Sequence, residues 1–342
     1  MFSAIDLFAG CGGLSEGLRQ SGFKVTAAVE INEDAARTYK FNHPDTILFT
    51  EDIRMLKTNE VKKIIGNKTL HLLAGCPPCQ GFSTMRSLNR GPHVEDPRND
   101  LITEFLRFVK GLRPFTIMME NVPAIIHYPL FKQVSDELSG LGYYIDFRVV
   151  NVADYGVPQR RKRFVMLGSR LGPIEVARGN GTKCTVRDAI GSLESVDKTS
   201  DPIHKIYPKH SPKVMDIIRR IPKNGGSRKD LPDEYILNCH KRVGIGFNDV
   251  YGRLKWDDVS STITGGCLNP SKGRFLHPEE DRCITAREAA LLQTFPRDYK
   301  FPEDIAKTAL ALMIGNALPP LFSKIQSAQI YKHLSSNLTI LV

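Results

Sequence analysis

Over its first half the chain alternates short apolar runs with stretches of helical period. Runs at 3–9, 24–31, 46–49, 70–75 and 115–119 have the length and composition of buried strands. Asn32 stands where an N-cap would, ahead of a helical stretch ending near Phe41. Residues 100–112 place Leu101, Phe105, Phe108 and Leu112 on one helical face. Segments 143–150 and 163–168 read as a strand pair. Beyond about residue 171 this regularity fades. Residues 203–229 show little period, and only 253–256 and 261–264 read as short strands. Thr285 and Glu288 have capping-box spacing for a helix that runs to Thr294 and stops before Pro296. A last helix follows Pro319-Pro320, with Leu321, Ile325 and Ala328 on one face.

Composition narrows the class. The 342 residues suffice for two domains, and 41% hydrophobic with 25% charged residues is ordinary for a soluble globular protein. Lys plus Arg number 47 against 37 Asp plus Glu, a net charge of +10 that favours a polyanionic partner. Seven scattered cysteines argue for reduced thiols and against a disulfide framework. The amino terminus enters a strand pattern at once, with no signal-peptide pattern. No run approaches the ~20 apolar residues of a membrane span.

The chemistry gathers where the apolar runs end. The run at 70–75 leads into Cys76-Pro77-Pro78-Cys79-Gln80-Gly81-Phe82-Ser83, a thiol on a stiff elbow at the carboxyl end of a strand. Ligands bind at that end of open α/β sheets. A zinc site would need further ligands at short spacing, which are absent nearby. Two prolines between the thiols oppose a redox pair, which leaves a purely buried thiol as the main alternative to a nucleophile. The first strand runs into Gly10-Cys11-Gly12-Gly13 and then a helix, the front end of a nucleotide-type unit. The phosphate-binding fingerprint would place Gly at position 15, where this chain has Ser15, so pyrophosphate binding is poorly supported. Glu30 ends the second strand, positioned to accept ribose hydroxyls, and Asp52 ends the third, positioned for an adenine amino group. Each could be an ordinary surface carboxylate, but placement at strand ends favours binding. Glu120, at the end of the 115–119 strand, is a candidate acid or a paired structural carboxylate. Residues 83–99 form a long polar loop of the kind used as a lid or binding loop. Gln159-Arg160-Arg161-Lys162-Arg163 needs an anion or carboxylate nearby, or is a solvated turn. Segment 203–229 holds eight Lys or Arg and one acid, Asp216, a composition suited to nucleic-acid backbone or to plain solvent.

In this order the pieces resemble the C5-cytosine DNA methyltransferases of the bacterial restriction–modification type. The likeness rests on 6–13, 75–83, Glu120-Asn121-Val122, 159–163, 288–296 and Gly315-Asn316-Ala317, with Leu291 standing where the family often has Arg. It implies a Rossmann-like, S-adenosylmethionine-dependent methyltransferase fold: an α/β seven-stranded mixed sheet, with a smaller, irregular target-recognition domain. The implied catalytic domain is 1–185 plus 310–342, and the recognition domain is 186–309. The cofactor would be S-adenosylmethionine, leaving as S-adenosylhomocysteine. Phe8, Gly10, Gly12, Glu30, Ile31, Asp52, Ile53, Pro78, Leu101 and Asn316 would hold it. Cys79 would be the nucleophile and Glu120 would assist at cytosine N3, with Arg161 and Arg163 orienting the flipped base. Gln80, Ser83, Arg86, Gln159, Arg219, Arg220, Thr262 and Ile263 would meet DNA. The implied partner is double-stranded DNA. A cognate restriction endonuclease, where the system has one, would act without a stable complex. The implied protein is a DNA-associated bacterial cytoplasmic monomer that engages no membrane. Other readings are a tRNA cytosine methyltransferase, a nicotinamide oxidoreductase and a catalytically inactive DNA-binding module. Ser15 and the Cys79–Glu120 pairing oppose the oxidoreductase.

Overall fold

The computed structural model describes residues 1–66, 69–78, 101–235 and 249–338. It opens on β1 (Ser3–Leu7), α1 (Gly13–Gln20), β2 (Lys24–Val29), α2 (Glu33–Asn42), β3 (Ile47–Phe49), α3 (Thr58–Ile65) and β4 (Leu72–Gly75). It continues through α4 (Leu101–Leu112), β5 (Thr116–Asn121), α5 (Pro129–Gly140), β6 (Tyr144–Asn151) and β7 (Lys162–Ser169). The helices that follow are α6 (Val186–Ile190), α7 (Pro212–Arg220), α8 (Ala286–Leu292), α9 (Lys307–Asn316) and α10 (Pro320–Leu338). The strands form one seven-stranded sheet in the order β3-β2-β1-β4-β5-β7-β6. β3, β2, β1, β4 and β5 run parallel, while β7 is antiparallel to both β5 and β6. The expected mixed seven-stranded sheet is therefore present.

Alternation along β1 divides the packing between two faces. Ile5 and Leu7 join a core with Val61 of α3, Phe105 and Val109 of α4, and Val134 of α5. Asp6, on the other face, accepts a hydrogen bond from Ser15 of α1. The carboxyl-terminal helix α10 packs on α1 so closely that a Cβ at Gly17 would lie 2.4 Å from Ser323 Cβ. Ser323 Oγ donates to the Leu14 carbonyl at 2.8 Å within the same contact.

The chain divides into two compact units. One holds Met1–Tyr155, Lys162–Gly179 and Leu318–Val342; the other holds Gly156–Arg161 and Asn180–Ala317. The second unit departs from the sequence reading. Segments 253–256 and 261–264 are not strands; Arg253 makes only an isolated bridge to Leu276, and Ser260 one to Gln159. Segment 212–220, within the stretch that looks aperiodic, is the helix α7, begun by Pro212 and burying Ile217 and Ile218. Its lysines and arginines dilute the apolar stripe in sequence without interrupting it in space. The sequence reading also does not include the helices α3, α5 and α9. Two expected caps are present: Asn32 accepts from the Ala35 N–H, and Thr285 with Glu288 closes a capping box on α8.

Candidate active site

In the first unit the parallel strands end in a row of polar groups. Phe8 adopts a left-handed backbone, φ 62°, and Gly10 follows at φ 57°. A Cβ at Gly10 would meet nothing within 4 Å, so its bare backbone faces open space. Glu30 accepts from the Gly10 N–H at 2.7 Å and the Asn32 N–H at 2.7 Å, which ties the end of β2 to the glycine turn. Burial raises its carboxyl above the ordinary value, and the donated N–H groups oppose that shift. Ile31, beside it, is 60% exposed, an apolar platform for a flat ring. The open backbone, the carboxylate and the exposed isoleucine fit a nucleoside-bearing cofactor. Asp52 is less free than its sequence position suggests, because the Arg54 guanidinium donates to both its oxygens and holds its carboxyl below the ordinary value. Ile53 turns its side chain into the core, leaving only its backbone to a ligand. Leu101 is half-buried at the start of α4.

The proline elbow is anchored from below. Asn121, at the end of β5, donates its amide to the Pro77 carbonyl at 2.9 Å. Its neighbour Glu120 is buried and pairs with Arg163 Nε at 2.8 Å. The Cys76 thiol hydrogen-bonds Glu120. Burial first, and then the charges of Glu120 and Asp6, hold that thiol well above its ordinary pKa. A thiol held protonated is a poor nucleophile, so Cys76 is unsuited to attack. Pro78 is half-buried at the end of the elbow. Cys79, Gln80, Ser83 and Arg86, with the 83–99 loop, lie outside the described residues.

The run 159–163 sends its side chains to different partners. Arg160 pairs with Asp258 at 3.6 Å, Arg163 pairs with Glu120, and Lys162 is exposed. The resemblance assigns Gln159 and Ile263 to DNA and Arg161 to the target base, but the structure buries all three. Gln159 donates to the Leu292 carbonyl and to Gln293 Oε1, and its own oxygen accepts from the Ile263 N–H. Arg161 donates to the carbonyls of Ile263 at 2.8 Å and Gly315 at 2.9 Å. Gln293 donates to the Ile314 carbonyl. The amide and guanidinium act on backbone and on Gln293, fixing the 262–263 segment against the end of α9. Thr262 stays half-buried, its hydroxyl donating to the Arg160 carbonyl, and Asn316 is exposed at the end of α9.

Arg219 and Arg220 are both exposed on α7, but differently engaged. Arg220 pairs with Asp216 and lies 3.8 Å from the Tyr235 ring centre. Sequence reasoning missed Gln293, and also Arg253, whose buried guanidinium donates to the carbonyls of Ile218, Ile221, His277 and Glu280. Gln293 lies within the 288–296 motif, but nothing local marks the role of either residue, because their partners are distant in sequence. Among the described residues no group of three or more His, Cys, Asp or Glu could hold a metal ion.

Comparison with known proteins adds a match over residues 2–332 to the family described as C-5 cytosine-specific DNA methylase. The type II methylase M.HgiDII of Herpetosiphon aurantiacus is 36% identical over 97% of this chain and 96% of its own length. The type II methyltransferase M1.HphI of Haemophilus parahaemolyticus is 34% identical over 94% of this chain and 84% of its own. Among solved structures, a DNA modification methyltransferase encoded within an E. coli prophage superposes with a TM-score of 0.76 at 25% identity. That match covers 98% of this chain and 100% of the other. The S. pombe Dnmt2 methyltransferase shares the fold, with a TM-score of 0.67 at 17% identity, covering 98% of each chain.

Proposed function

Since the chain belongs to the C-5 cytosine-specific DNA methylases and is a DNA (cytosine-5)-methyltransferase, we propose that it methylates one cytosine within a specific duplex sequence, by way of a covalent bond from Cys79 to C6. The observation that carries this reading is the buried Glu120–Arg163 pair beside the anchored proline elbow. The bacterial relatives and their type II names support a restriction–modification setting in the cytoplasm, with double-stranded DNA as the partner.

The target base leaves the duplex before chemistry, since C5 and C6 are inaccessible within the stack. Cys79 as thiolate adds to C6, which turns C5 into an enamine-like carbon. Glu120 hydrogen-bonds or protonates N3 and so stabilises the adduct. Arg163 holds Glu120 in place and is the arginine available to the base, because Arg161 is spent on backbone carbonyls. S-adenosylmethionine, when bound, supplies an electrophilic methyl group for C5. Loss of the C5 proton and departure of the Cys79 sulfur then restore the aromatic ring. Glu30 is placed for the ribose hydroxyls and Ile31 for the adenine face, with the open Gly10 backbone beside them. Asp52 reaches the adenine amino group only alongside or in place of Arg54. The second compact unit reads the target, with Arg219 and Thr262 towards DNA.

The test separates Cys79 from Cys76. In duplex DNA carrying 5-fluorocytosine at the target, fluorine cannot leave as a proton does, so the adduct persists through denaturing electrophoresis. Cys79→Ser should lose both methylation and trapping. Cys76→Ser should retain both, because that thiol is held protonated. Peptide mapping that finds Cys76 joined to DNA, or active enzyme that forms no adduct, overturns the assignment.

A further inference from the structure

We propose that Asp6 sets the ligand class of the glycine turn: it fills the amino end of α1 with the protein's own carboxylate, so the turn disfavours phosphate-bearing ligands and favours one that carries positive charge.

The amino end of a helix presents unpaired N–H groups and partial positive charge, and in nucleotide-binding units a phosphate occupies it. Here the N-cap is Gly12, at φ 96°, with no side-chain cap. The capping group comes instead from β1. Asp6 has no exposed surface, and its Oδ2 accepts the Ser15 hydroxyl at 2.6 Å. The Ser15 backbone N–H also bonds Asp6. The Ser15 oxygen is in turn 2.8 Å from the hydroxyl of Tyr39, itself fully buried on α2. So Ser15, which breaks the phosphate fingerprint in the sequence, is the residue that docks the carboxylate. The place of a bound phosphate is taken.

The second carboxylate oxygen makes the arrangement selective. Among the described residues Asp6 Oδ1 has no hydrogen-bond partner. A buried, half-satisfied carboxylate is costly unless it holds a proton or a cation approaches. Burial, with a smaller push from Glu30, raises Asp6 from the ordinary 3.8 to about 7, against the pull of Ser15. The other titratable groups around it are Cys11, Cys76, Tyr39, His43 and Glu30. Cys11, in the turn, is pushed to about 12, and burial also raises Cys76 beyond β4 and Tyr39 on α2. His43, stacked on Tyr39, is lowered to about 4 and stays neutral. Glu30, at the end of β2, is raised but accepts two N–H bonds. A sulfonium therefore gains from ionised Asp6 and loses as Asp6 takes up its proton below about pH 7.

The inference rests on the cofactor proposed above, and calorimetry with the full chain tests it without turnover. S-adenosylmethionine carries the sulfonium charge and S-adenosylhomocysteine does not. The ratio of their affinities should fall between pH 8 and pH 6, by up to about tenfold per unit below the Asp6 pKa. Asp6→Asn still accepts the Ser15 hydroxyl but should make the ratio independent of pH. It should also let inorganic pyrophosphate compete with S-adenosylhomocysteine, which the wild type should resist. Ser15→Ala removes the bond that lowers the Asp6 pKa, so the fall should begin at higher pH. A wild-type ratio that ignores pH, or the same dependence in Asp6→Asn, overturns the assignment and leaves Asp6 a plain helix cap. Wild-type protein that binds neither compound overturns the cofactor reading itself.

Discussion

Gln159 offers a clean test of the buried-network reading, because a DNA contact and a structural hub predict opposite results. In Gln159→Ala, three buried groups lose their partner: the Leu292 carbonyl, Gln293 Oε1 and the Ile263 N–H. Each unsatisfied buried group costs about 1–3 kcal/mol. Taking the low end for each, to allow for water entering the vacated space, the loss is about 3 kcal/mol. That is a large fraction of the ~5–15 kcal/mol of a typical domain. The assay is urea denaturation of the protein without DNA or cofactor. The chain's one tryptophan, Trp256, is buried in the same compact unit and reports its unfolding. With a slope of about 2 kcal/mol per molar urea, the midpoint should drop by about 1.5 M. A side chain that touches only DNA would shift stability by less than about 0.5 kcal/mol. A midpoint unchanged within about 0.25 M, together with weakened DNA binding, would refute the hub and restore the DNA contact.

Three further outcomes are expected. Arg219→Gln should reduce the salt dependence of DNA binding by about 0.9 in the log–log slope, the value for one phosphate. Arg220→Gln should reduce it less, because Asp216 and Tyr235 already engage that side chain; equal slopes would contradict the distinction. Gly17→Ala should cost about 1–3 kcal/mol in thermal unfolding, although Ala is the better helix former, since its Cβ would sit 2.6 Å from the Lys324 backbone nitrogen. A stabilised variant would show that α1 and α10 do not pack as described. Glu30→Ala should weaken S-adenosylmethionine binding roughly tenfold or more, as loss of a charged hydrogen bond does. DNA affinity without cofactor should hold, and unchanged cofactor affinity in calorimetry removes Glu30 from the site.

Local physics made much of the first unit readable. The apolar runs became strands because each is short, β-rich and closed by glycine, proline or a carboxylate, and Asn32 and Thr285 cap helices through bonds only three residues long. The same locality placed Glu30 and Glu120 at strand ends. Tertiary structure decided which polar residues face inwards. Gln159, Arg161 and Arg253 look like surface residues in sequence, yet each is buried by partners 24 to 156 positions away. A backbone carbonyl has no residue identity, so no pattern foretells that a guanidinium will be spent on one. Asp6 shows both sides: strand alternation put it inside, but only the approach of Ser15 across the glycine turn made it the cap of α1. The α7 helix is hard to read in sequence because three cations and Asp216 are interleaved with its four apolar residues, and only the folded core shows that Ile217 and Ile218 share a buried side.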